Sequence, residues 1–136
     1  AEALKSLLDA PGVTFYSLQY GERFAELEQA GLASKVIRVG DAQMSDFHQT
    51  AGCIDQLDLL ITVDTAVAHI AGALGRPVWT LLAFANDFRW LKSRADTPWY
   101  PTMKLYRQSR PMDWSDVVGR LVVDLGAFAR KRERRR

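Results

Sequence analysis

The chain has 136 residues, 48% of them hydrophobic and 25% charged, which fits a globular domain with a core of its own. Its single cysteine, Cys53, excludes an internal disulfide and a cysteine-rich zinc site, and no apolar run is long enough to cross a bilayer. The net charge of +2 is concentrated at one end. Residues 130–136 hold six of the 18 basic residues, leaving 12 basic against 15 acidic residues in the body, so no basic nucleic-acid face is expected there.

Residues 2–9 read as a helix with Leu4, Leu7 and Leu8 on one side, broken by Pro11-Gly12. Val13–Leu18 is rich in β-branched and aromatic residues and reads as a strand, followed by a Gln19-Tyr20-Gly21 loop. A short helix over 22–30 ends at Gly31, and Lys35–Val39 reads as a second strand. Asp46 caps a helix, with Gln49 completing a capping box, Phe47, Ala51 and Ile54 facing inward and His48 outward. Cys53 lies in this helix as a small core residue. Leu59–Val63 reads as a strand buried on both faces. Asp64-Thr65 then opens a helix with Val67, Ile70, Ala71 and Leu74 on its apolar stripe; Gly75 ends it and Pro77 keeps it ended.

Val78–Leu82 is a strand, 83–102 a long aromatic loop with a helical turn near Phe88–Leu91, and Met103–Arg107 the last strand. The final helix starts at Asp113, carries Asp116 in its first turn, and repeats Trp114, Val117, Val118, Leu121, Val122 and Leu125 at helical spacing. Strands and helices alternate throughout. The expected fold class is therefore α/β, a Rossmann-like open parallel sheet of about five strands with helices on both faces. Residues 1–129 form the expected domain and 130–136 a basic tail, read as a solvated helix end.

The strand–turn–helix unit around Asp64 is the most informative feature. It directs the N–H groups of Thr65, Ala66 and Val67 to the space above the carboxyl end of a parallel strand, where open α/β sheets bind ligands and where a phosphate fits. Asp64 repels an anion and suits a cap, a turn-orienting group or a ribose ligand; capping alone also explains the pair. His69 stands four residues after Thr65 and leans toward the helix start, within reach of a phosphate there. Read alone, it is equally a structural histidine bonded to a backbone carbonyl.

The aromatic stretch with Arg89 and Trp90 reads as a rigid cover or as a ligand wall with Arg89 as a phosphate partner. Gln19, Asp46 and Thr50 are candidate nucleoside contacts. No HExxH, CxxC, GxSxG or P-loop occurs, so zinc hydrolysis, a nucleophile elbow and Walker-type ATP use are unsupported.

Ser17-Leu18-Gln19, the run Asp64 to His69, the run Ala71 to Trp79, and Arg89-Trp90 resemble the heptosyltransferase-like glycosyltransferases of family 9. The stretch 93–108, with Pro98-Trp99-Tyr100-Pro101-Thr102-Met103 and Leu105-Tyr106-Arg107-Gln108, resembles the branch found behind tetratricopeptide repeats in bacterial proteins. The likeness runs from about Val13 to Trp114. It implies a GT-B architecture, two Rossmann-like domains with a nucleotide-sugar between them, of which this chain is similar to the C-terminal, donor-binding domain. It implies an inverting, metal-independent glycosyltransferase without a cofactor, its substrate a nucleoside-diphosphate sugar.

The diphosphate contacts of the family would map onto Asp64, Thr65, Ala66 and His69, and the nucleoside side near Gln19, Asp46 and Thr50, with Arg89 and Trp90 in the covering loop. No catalytic base and no metal ligand is nominated in this chain. The acceptor and the base belong to an N-terminal partner domain, with tetratricopeptide repeats. The family's first strand precedes the first helix, whereas this chain begins inside that helix. It is therefore expected to be a fragment, inactive alone, lacking strand 1 of a 3-2-1-4-5-6 sheet and open to self-association through an unpaired edge. The expected setting is the cytoplasm, with no nucleic acid and no membrane span.

Two other classes compete. A non-catalytic Rossmann-like interaction module would keep the fold without the reaction. A phosphoacceptor signalling domain would use Asp64 as its acceptor, but Gln19 stands where the magnesium-holding acidic pair is needed, and Arg107-Gln108 replaces the lysine that ends the last strand.

Overall fold

The computed structural model describes residues 2–18, 22–39, 47–63, 66–82, 100–110 and 113–134. In chain order its elements are α1 (Glu2–Leu8), β1 (Tyr16–Ser17), α2 (Glu22–Gln29), a 3-10 turn (Ala33–Lys35), β2 (Ile37–Arg38), α3 (Phe47–Asp55), β3 (Leu60–Val63), α4 (Ala66–Ala73), β4 (Val78–Leu82), β5 (Met103–Arg107) and α5 (Ser115–Arg134). Every strand pairing is parallel, in two ladders, β1-β2 and β3-β4-β5. The fold is thus α/β with parallel sheets, the pattern of a Rossmann-like fragment. The chain divides into two compact units, Ala1–Met44 with Trp114–Arg136, and Ser45–Asp113.

In the first unit α1 packs on α5. Val117, Leu121 and Leu125, four residues apart, are buried along one side of α5, and Leu7 is buried on α1. Val123 on the other side of α5 is 70% exposed. The helix continues to Arg134, through most of the basic run. Gly31 ends the α2 segment in a left-handed conformation, φ 73°. Leu32 N–H donates to Leu27 O (2.9 Å) and Gly31 N–H to Glu28 O (3.1 Å), the paired bonds of a Schellman cap. Lys35 pairs with Asp9 and ties the 3-10 turn to the end of α1.

The two expected strands here are shorter than the sequence indicates. Lys35 belongs to the 3-10 turn rather than to β2, which leaves only Tyr16↔Ile37 and Ser17↔Arg38 in register. Bonds from Ile37 N–H to Phe15 O (2.8 Å) and Val39 N–H to Ser17 O (3.1 Å) complete the ladder.

In the second unit β4 is the central strand, paired over its whole length with β5 and over four residues with β3. Val78, Leu82, Met103 and Leu105 are buried on one face. On the other, Trp79 and Tyr106 meet with ring centroids 5.5 Å apart, and Lys104 Nζ lies 5.0 Å from the Tyr106 centroid. Thr80 is fully buried, and its hydroxyl has no hydrogen-bond partner among the described residues. α4 packs on β3 and β4 and against α3, where Ile54 is fully buried. Cys53 is a half-buried free thiol. The amino edge of this sheet is sewn by Leu60 N–H to Pro77 O (3.1 Å) and Val78 N–H to Thr102 O (3.2 Å), and by the Arg76 guanidinium donating to Leu57 O.

Two expectations for this unit are corrected. β3 is not buried on both faces: it is an edge strand of its ladder, and Val63 is 49% exposed. The buried stripe of α4 is Ala68, Ala71 and Gly72, not a stripe extending to Leu74, which is exposed. Small side chains turn inward because α4 lies against two strands, another helix and an aromatic ring at once.

Candidate functional site

β3 runs to Val63 and α4 begins at Ala66, so the helix starts three residues after the carboxyl end of a parallel strand. Ala66 is exposed at the start of α4. A helix start presents backbone N–H groups that have no partner within the helix, together with the positive end of the helix dipole. The far end of α4 is closed by a second Schellman cap: Gly75, φ 70°, donates to Gly72 O (3.1 Å), and Arg76 N–H donates to Ala71 O (3.1 Å). Pro77 then leads into β4. The sequence cues Gly75 and Pro77 therefore act as expected, and they fix the helix at eight residues.

His69 is half-buried on α4, one turn after Ala66. Its Nδ1 lies 3.0 Å from the Tyr100 hydroxyl, and the two rings meet edge to face with centroids 5.6 Å apart. Tyr100 enters from the other end of the sheet, three residues before β5. Its ring lies against Gly72. A Cβ at Gly72 would stand 2.5 Å from Tyr100 Cγ, so no side chain fits there while the ring does. The tyrosine thus spans one helical turn, from Gly72 beside its ring to His69 at its hydroxyl. The sequence sets Tyr100 in an aromatic stretch and gives no direct sign of this contact. The available signal was Gly72, since a glycine inside a helix costs about 1 kcal/mol relative to alanine and calls for a packing reason.

Arg107 ends β5 at the same carboxyl edge as Val63. Burial lowers the pKa of its guanidinium, which still keeps its charge at neutral pH. Among the candidates from the sequence, Ala66 and His69 share α4, and Thr50 sits in mid-α3 with its side chain buried. Asp64, Thr65, Gln19, Asp46, Arg89 and Trp90, with the helical turn near Phe88–Leu91, lie outside the described residues. Among the described residues, no helix is long and apolar enough to cross a membrane.

The sequence profile of glycosyltransferase family 9 (heptosyltransferase) matches residues 21–115. The chain is also 28% identical over 128 residues to Protein FlbA of Caulobacter vibrioides, a match covering 90% of this chain and 21% of that protein. The chain therefore spans about a fifth of the length of this curated relative. No solved structure matches it.

Proposed function

This chain belongs to glycosyltransferase family 9 (heptosyltransferase), and from that premise we propose that it binds the diphosphate of a nucleotide-sugar donor at the start of α4. The observation that carries the proposal is the β3–α4 junction: a helix start at the carboxyl end of a parallel strand, with His69 held one turn away, inside the family-matched segment. Asp64 orients the turn, and the N–H groups of Thr65, Ala66 and Val67, with the Thr65 hydroxyl, face the diphosphate. The nucleoside lies toward Gln19, Asp46 and the helix that carries Thr50, and the loop with Arg89 and Trp90 covers the donor.

In the full-length protein the reaction is an inverting transfer without a metal. As the bond from the anomeric carbon to the diphosphate oxygen breaks, negative charge grows on the leaving group. Fixed N–H donors and a proton-bearing nitrogen of His69 stabilise that charge more than they stabilise the intact donor. The acceptor and the general base belong to a second, N-terminal domain of a GT-B pair, associated with tetratricopeptide repeats in a bacterial cytoplasmic protein.

Calorimetric titration with UDP, GDP and ADP tests the proposal. One of the three is expected to bind, and Thr65→Ala and His69→Ala are each expected to weaken it by about tenfold, the loss of one hydrogen bond to a charged group. If none binds the full-length protein, the reading fails.

A further inference from the structure

We propose that the outer face of the carboxyl half of α5 docks on an anionic membrane surface, held by the phosphate headgroups of acidic lipids. The helix runs unbroken to Arg134, so Arg130, Lys131, Arg132 and Arg134 all stand on regular helical backbone. Val117, Leu121 and Leu125 are buried along one side of α5. Positions 123, 127, 130, 131 and 134 recur at helical spacing on the opposite side. There Val123 is 70% exposed, and Ala127, Arg130 and Lys131 are exposed as well. This outer face changes character along its length. Near its start Asp116 and Arg120 pair at 3.1 Å and offset each other. Toward its end an exposed valine and alanine are followed by an excess of positive charge, since residues 130–136 hold six basic residues against one acid.

Two simpler accounts of the basic run fall short. Cations in the last turn of a helix offset the helix dipole, but that effect fades within one turn and calls for no such excess. A nucleic-acid face mixes Arg and Lys with Ser, Thr, Asn, Gln or Tyr, which fix register on the phosphates, and with aromatic rings on which bases stack. From Asp116 to Arg136 the chain has none of those five polar types, and its one aromatic residue there, Phe128, is half-buried. A lipid surface makes no such demand. It is a diffuse sheet of negative charge that rewards each nearby Lys or Arg. The long basic side chains lay their methylene stems toward the acyl boundary beside Val123 and Ala127 and keep their charges among the headgroups. The apolar part of the face is small, so the attraction is mainly electrostatic and neutral lipid does not suffice.

Flotation of the full chain with lipid vesicles tests the proposal. Vesicles of phosphatidylglycerol and phosphatidylcholine in equal parts should carry the chain upward, and vesicles of phosphatidylcholine alone should not. Raising the salt to about 1 M, where charges are screened beyond about 3 Å, should release it. Each basic residue near such a surface contributes about fivefold to partitioning, so Arg130→Ala with Lys131→Ala should weaken binding about 25-fold. Arg130→Lys with Lys131→Arg, which keeps both charges, should stay within about twofold of the native chain. Both positions are exposed, so the helical circular dichroism and thermal unfolding of these variants should match the native chain. Val123→Asp, a second exposed site on the same face, should weaken binding by about fivefold or more. No flotation with acidic vesicles, or a double-alanine variant that floats like the native chain, overturns the proposal. Displacement by inorganic phosphate at equal phosphate concentration also overturns it, because it marks a discrete anion site. Tighter binding to a duplex of about 20 base pairs than to acidic vesicles, at equal phosphate and salt, overturns it in favour of nucleic acid.

Discussion

Replacing Gly72 by alanine should change sign with the residue at position 100. Within α4 the substitution gains about 1 kcal/mol, because alanine restricts the unfolded chain and favours helix. Against this stands the Tyr100 ring: the new Cβ would lie 2.5, 2.6 and 2.9 Å from Cγ, Cδ1 and Cδ2. These atoms are the root of the side chain rather than its flexible end, so the ring must retreat by about 1 Å to regain the roughly 3.5 Å of an ordinary carbon contact. Overpacking of this kind costs about 1–3 kcal/mol. Gly72→Ala alone should therefore leave the chain up to about 2 kcal/mol less stable, whereas Gly72→Ala added to Tyr100→Ala should stabilise that variant by about 1 kcal/mol. Urea unfolding of the four proteins, followed by helical circular dichroism with the slopes compared, measures both steps and their coupling. Equal stabilisation in both backgrounds would refute the reasoning, because it would mean that no ring occupies the space beside Gly72.

Other consequences concern the core and the surface of the two units. Leu121→Ala removes a fully buried side chain from α5 and should cost about 2–5 kcal/mol, while Val123→Ala, two residues on and largely exposed, should stay within about 0.5 kcal/mol; the same denaturation assay separates them. Thr80→Val replaces a buried hydroxyl that lacks a partner among the described residues and should stabilise the chain by about 1 kcal/mol, seen as a higher urea midpoint at unchanged slope. The hydrogen bond from Lys35, with its charge, holds the Asp9 carboxyl below its ordinary pKa. A carboxylate lowered in the folded state adds stability above its unfolded pKa and loses it as pH falls through the folded one. Lys35→Met should thus raise the Asp9 value in a carbonyl-detected NMR titration and flatten the acid limb of the stability profile. An unmoved Asp9 titration would show that the pair does not form in solution.

Much of this was legible locally. β4 and β5 match the sequence expectation residue for residue, because β4 is a compact, mostly apolar run after a proline and β5 sets Met103 and Leu105 in alternation with Lys104. The ends of α2 and α4 are legible for a similar reason: Gly31 and Gly75 each take the left-handed conformation that closes a helix. What was not legible depends on partners far along the chain. Periodicity could not reveal which side of α4 turns inward, since Gly72 lies against a ring 28 residues away and the helix packs on two strands. Nor could composition foretell that the first two strands shrink to two residues each, which follows from the 3-10 turn that takes Lys35 out of β2. At the candidate site, the helix that follows β3 and its glycine–proline exit were legible. The partner of His69 was not, because nothing in the spacing of residues 69 and 100 links them.

The bonds that sew the amino edge of the three-stranded sheet give its two ends different evolutionary freedom. Leu60 to Pro77, Val78 to Thr102, and Arg76 to Leu57 fix the register of all three strands at one end. Mutations in the segments that leave the opposite end then act on a framework whose alignment is already set. Substitutions there leave the sheet fastened, while changes at Arg76 or Pro77 loosen the end at which β3 and β4 are aligned.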